Sequence, residues 1–202
     1  MPHVTPQPTH DEAIAATRRW LERAVIGLNL CPFAKHVHDK GQVRYAVSRA
    51  QTSDALLDDL ERELKKLVAT KAEILDTTLL IVPYTLTAFE DFVKFLDLVE
   101  FAVKIQGLVG VVQVASFHPQ YQFAGTEGDD VSNYTNRAPY PTLHLLREAS
   151  LTRAVEAFPD TDEIYQRNIR TLRTLGVAGW RALAIDAPTD RQAMTKPVSG
   201  ID

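Results

Sequence analysis

His118 closes the apolar run Val109 to Phe117 and is followed by Pro119, so a titratable imidazole stands where a strand must stop. There it can act as a general acid or base, ligate a metal, or simply bond to backbone. Downstream, Asn133, Asn136 and Arg137 form a polar group beside Tyr134 and Tyr140, with Tyr121 in the same stretch. Arginine in such company is a clamp for carboxylate or phosphate, and asparagine is an orienting donor or only a turn former. His144, Arg147 and Glu148 are spaced to share one helix face, where they would hold an anion or pair with each other. Asp129 and Asp130 could take a divalent cation, though an acidic pair at a loop tip is more often just solvated.

Cys31 is the sole cysteine, which excludes an intramolecular disulfide and a cysteine-rich zinc site. It lies in the bend Asn29 to Phe33 after a helix and is a candidate nucleophile. A helix C-terminus carries negative potential, which would raise the thiol pKa and oppose that role, and a buried inert thiol is the plainer reading. Cys31, His36 and His38 have the spacing of metal ligands, and His118 or His144 would have to join them to make a site.

The elements that must position these residues follow from periodicity. Thr9 with Glu12 reads as a capping box opening a helix to about Ile26, with Gly27 as its left-handed stop. Val43–Val47 alternates as a strand, and a Ser53-capped helix then buries Leu56, Leu57, Leu60, Leu64 and Leu67. Thr77 to Val82 is a buried strand ended by Pro83. A Thr87–Glu90 capping box opens a third helix to about Ile105. After the strand Val109–Phe117 the pattern is lost for more than 20 residues, longer than most compact domains allow without a purpose. Recurrent aromatics and prolines there point to an ordered loop, at the carboxyl end of a strand, where open parallel sheets bind ligands. Then come Leu143 to Ala149, a Ser150-capped helix, and a last helix from about Thr161 to Leu175, stopped by Gly176.

This order predicts one α/β domain over about residues 9–180, with a small, mostly parallel sheet of three or four strands flanked by helices. A further strand at Thr142 to Leu146 would make the ferredoxin-like α+β sheet the alternative. Residues 1–8 and 181–202 read as poorly ordered termini. The net charge of −4 is unlike a general nucleic-acid binder, and no stretch is long and apolar enough to cross a membrane. The start of the chain does not read as a signal peptide, and a cytoplasmic location is expected. Composition permits a homodimer and leaves the cofactor unknown.

Three stretches carry a resemblance: Ala24 to Ala34, Gln113 to Pro119, and Ser132 to Arg137 continued in Pro141 to Glu148. They resemble a bacterial family known as domain of unknown function 1415, over about Thr9 to Trp180. The resemblance implies one intact domain and assigns no activity, cofactor or catalytic residue. The residues themselves suggest a small-molecule enzyme, a hydrolase or transferase for an anionic substrate. In that reading His118 is the acid/base, Cys31 a nucleophile or pocket wall, and Arg137 and Arg147 the anion clamps. The alternatives are a non-catalytic module binding an anionic metabolite or a protein partner, and a metal-dependent enzyme using His118 and His144.

Overall fold

In the computed structural model, which describes residues 7–157 and 161–185, the first strand is β1 (Val43–Val47). A 17-residue helix, α3 (Ser53–Ala69), carries the chain to β2 (Thr77–Ile81), which pairs in parallel with β1. Before β1 lie α1 (His10–Trp20), a π-helical segment (Leu21–Ile26) and the short α2 (Ala34–Asp39). A second crossover through α4 (Phe89–Ile105) leads to β3 (Val112–Phe117). A 3-10 helix (Val131–Asn136) and β4 (Thr142–Arg147) follow, then α5 (Glu148–Ala157) and α6 (Thr161–Ala182).

The sheet order is β1-β2-β4-β3. β4 runs antiparallel to both neighbours, so β1, β2 and β3 share a direction and the sheet is mixed, flanked by helices. The fourth strand therefore exists, yet the sheet is not ferredoxin-like, because helices cover both faces rather than one. Right-handed crossovers send α3 and α4 to the same side. There Leu56, Leu60, Leu64, Phe92, Phe95 and Val99 pack on Ala46, Leu80, Leu143 and Leu145. On the other side Trp20, Leu21, Ala24 and Val25 pack on Leu79, with Tyr45 and Phe117 at the margin. All five β2 residues are buried, as a strand between two helical layers must be.

Several local expectations change. The Thr9–Glu12 capping box is present, but Thr52 rather than Ser53 caps α3, accepting from the Ala55 N–H, and α4 starts after Ala88 without a side-chain cap. Ser150 caps nothing, since α5 already begins at Glu148, and its hydroxyl donates to Asp76 at 2.6 Å. Gly27 is right-handed (φ −61°), and the reversal to positive φ falls on Asn29 at 53°. Glycine is needed at 27 because a Cβ would stand 2.3 Å from the Arg23 carbonyl oxygen, a consequence of the wide π-helical turn. Gly176, at φ 64° and ψ 176°, is non-helical and ends the helix begun at Thr161 as expected, and a second helical stretch continues beyond the kink to Ala182. The chain continues to a buried Ile185, whose carbonyl accepts from Arg19. The remaining residues expected to form loose termini lie outside the described residues.

Candidate functional site

The stretch 118–141 is held by its own polar groups. Asn133 is fully buried. Its Oδ1 accepts from the Phe123 N–H and the Thr126 hydroxyl, and its Nδ2 donates to the Glu127 carbonyl. Asn136 donates to the Ser116 carbonyl, tying the 3-10 helix to the end of β3, and the Tyr121 hydroxyl bonds to Asn136 and Ser116. Arg137 donates to the carbonyls of Tyr121 and Gly128 while its guanidinium lies 4.4 Å from the Tyr134 ring centroid. Asp130 accepts from the Ser132 N–H and lies 3.9 Å from Arg173. Asn133, Asn136 and Arg137, which the sequence offered as ligand contacts, thus bond to backbone of the loop and of β3.

His118 shares that character. Its ring is fully buried against Phe89 and Phe92, with centroids 5.3 and 5.1 Å away. Nδ1 accepts from the Gln120 N–H at 3.0 Å, which fixes the proton on Nε2, and Nε2–H donates to the Leu86 carbonyl at 3.1 Å. Burial lowers its pKa, against the opposing pull of backbone at Leu86 and Thr87. Leu86 has φ 54°, a conformation costly for a bulky residue, and the bond from His118 helps hold it there.

A cavity lies elsewhere, on the α1 side of the sheet and toward the start of β1 and β2, the end opposite to that expected for an open parallel sheet. It measures about 880 Å³. Leu79, Ala115, Phe117, His144 and Leu146 contribute from the sheet. Trp20, Leu21 and Val25 contribute from α1 and the π-helical segment. Cys31, Phe33 and Val37 form the wall before and within α2, while Leu151 and Ala154 come from α5. Charged and polar groups, including Lys40, Glu73, Asp76 and Arg153, also border it. π-Helical segments are costly and concentrate at functional sites, and here Leu21 and Val25 belong to one.

His144 was expected on a helix with Arg147 and Glu148. Instead Thr142–Arg147 is a strand, buried between β2 and β3, and helix begins only at Glu148. Residues an odd number apart on a strand point to opposite faces, so His144 and Arg147 separate. Arg147 donates through Nε and Nη2 to the carbonyls of Leu67, Thr70 and Leu75, closing the C-terminal end of α3. His144 stands opposite Leu79 and Ala115 on the cavity side.

The Thr77 hydroxyl oxygen lies 2.7 Å from His144 Nε2 and 2.7 Å from the Leu145 carbonyl oxygen. A carbonyl only accepts, so Thr77 gives it the single hydroxyl proton and must accept from Nε2–H. Nδ1 is then an unprotonated acceptor, without a partner among the described residues. Burial depresses the ring pKa to about 4, which keeps the imidazole neutral near pH 7. Thr77 had no signal in the sequence beyond being a hydroxyl in an apolar run.

Cys31 shares this cavity, although nothing brings it to His118 or Arg137. Its thiol pKa is raised by burial, while the N–H groups of Phe33 and Ala34 pull the other way, so the cause differs from the helix C-terminus expected. The bend that carries it is pinned by α6, where Arg167 donates to the Asn29 carbonyl and Asn168 to that of Leu30. Among the described residues no group of three or more histidine, cysteine, aspartate or glutamate side chains could hold a metal. Cys31, His36 and His38 thus do not form one.

These features define an α/β domain with helices on both faces of a mixed sheet and an apolar cavity under one helical layer. The chain belongs to the family described as Protein of unknown function (DUF1415), whose model matches residues 12–182. No curated protein and no solved structure matches the chain. The stretches that carry the resemblance supply Cys31 to Ala34, Ala115 with Phe117, and His144 with Leu146 to one cavity. No helix among the described residues is long and apolar enough to cross a membrane.

Proposed function

We propose that this chain binds a small, mainly apolar molecule in the cavity beside His144. The observation that carries this reading is a cavity of about 880 Å³ lined by aromatic and aliphatic side chains around one neutral imidazole. Small-molecule sites commonly have this make-up, at roughly 300–1,000 Å³ with a few placed polar groups. A hydrolase or transferase built on His118 would need a free ring nitrogen there, and both are bonded. An anionic group on the ligand belongs beside Lys40 and Arg153 rather than against the bare acceptor of His144.

Filling the space tests the reading. Ala115→Phe adds a ring from β3 on the cavity side. It is expected to keep the fold by circular dichroism and to abolish binding of an apolar fluorescent dye, while His118→Phe leaves dye binding intact. Equal dye binding by wild type and a folded Ala115→Phe protein would remove the basis of the proposal.

A further inference from the structure

We infer that the cavity's ligand is a neutral apolar molecule carrying one hydroxyl group, a phenol or an alcohol, whose O–H donates to Nδ1 of His144. This rests on the cavity being a binding site and specifies what it selects.

The selection follows from where protons can be. Thr77 has one proton and two partners at 2.7 Å, and only the assignment with Nε2 protonated satisfies both. The partnerless Nδ1 therefore presents a lone pair on a ring that lines the cavity. A ligand donor completes its bonding. An ether or carbonyl oxygen would set lone pair against lone pair, and a carboxylate would add a charge in an apolar setting. Of the other polar groups along the wall, His36 and Lys40 are exposed at its rim. Asp76 accepts from Ser150, Ser150 accepts from Arg153, and the Cys31 sulfur accepts from backbone N–H groups. An apolar body with a single donor matches that distribution.

Three matched compounds test it: 4-phenylphenol, its methyl ether 4-methoxybiphenyl, and biphenyl-4-carboxylate. Binding is followed by calorimetry and by fluorescence of Trp20, which lines the cavity. The phenol should bind roughly tenfold more tightly than the ether, the worth of one buried hydrogen bond. In His144→Gln, which can still donate to Thr77 but lacks an acceptor at the Nδ1 position, the two should agree within about twofold. Equal binding of phenol and ether to the wild type would overturn the hydroxyl assignment and leave the cavity reading standing. Tightest binding by the carboxylate would do the same, with the anion as the selected group. No measurable binding of any of the three, with the protein folded, would count against the cavity reading itself.

If His144→Gln does not fold, two measurements on folded protein decide the matter. Nitrogen-15 shifts of the His144 ring in the wild type should show a protonated Nε2 and a bare Nδ1, and the reverse tautomer overturns the inference. Thr77→Val removes the oxygen that selects the tautomer and should shrink the phenol preference several-fold. An undiminished preference would equally overturn it.

Discussion

The loop around His118 and the cavity around His144 each hold a histidine kept neutral by burial, and they employ it in opposite ways. At His118 both nitrogens meet backbone, and the asparagines and arginine nearby likewise point inward. At His144 one nitrogen meets Thr77 and the other has no partner among the described residues. A polar group whose bonds are all internal holds a fold together, whereas one left open inside a cavity can recognise something. The comparison teaches that polar density along a chain is a poor guide to a site, and that unsatisfied bonding capacity is a better one.

The comparison can be broken most forcefully at Asn133. Asn133→Ala strands the part-buried Phe123 N–H and takes one partner each from the Thr126 hydroxyl and the Glu127 carbonyl, and should cost about 3 kcal/mol by chemical denaturation with dye binding at the cavity unchanged. A loss below about 1 kcal/mol would mean the loop is held by something else. His118→Phe should cost about 2 kcal/mol, because Gln120 N–H and Leu86 carbonyl lose their partner, again without effect on binding. Weakened binding in that variant would unite the two regions and undo the contrast.

Acid sharpens it from the other side. The folded His144 pKa of about 4 lies below the unfolded value near 6.5, so between them the unfolded chain holds more protons. Stability from this group is complete above pH about 6.5 and is lost as pH falls toward about 4, an effect of roughly 2 kcal/mol in a ring partly open to the cavity. Urea titrations of wild type and His144→Gln at several pH values should converge in acid, and parallel curves would contradict the assignment. The smallest effect belongs to Arg137→Lys, which keeps the charge but loses the planar stack on Tyr134 and the paired carbonyl contacts. It should cost about 1 kcal/mol in the same assay.

Much of the fold was legible from local pattern. Alternation found β1, the apolar run found β2, and helical spacing found the stripes of α3 and α4. β4 was harder, because Thr142–Arg147 is short and apolar with residues three and four apart that also suit a helix, and neighbouring strands rather than propensity decide it. The cavity was the least legible feature. Residues from α1, α2, β2, β3, β4 and α5 meet only through topology, and none of these segments has a local signature of the space they enclose. The one available hint was His144 itself, a lone imidazole among leucines where a buried strand has little room for one. The asparagine-rich loop misled for an equally physical reason, since the same side chains that bind ligands also bind backbone.

β4 is the last strand among the described residues and sits in the interior of the sheet, between β2 and β3. During synthesis, β2 and β3 therefore emerge with a gap between them that no earlier segment fills. Until Thr142–Arg147 leaves the ribosome, both strands present bare edges, which is the state most open to pairing with other chains. Any fragment ending before Thr142 would keep those edges permanently. The same insertion delivers His144 to the cavity, so the proposed recognition waits for sheet closure.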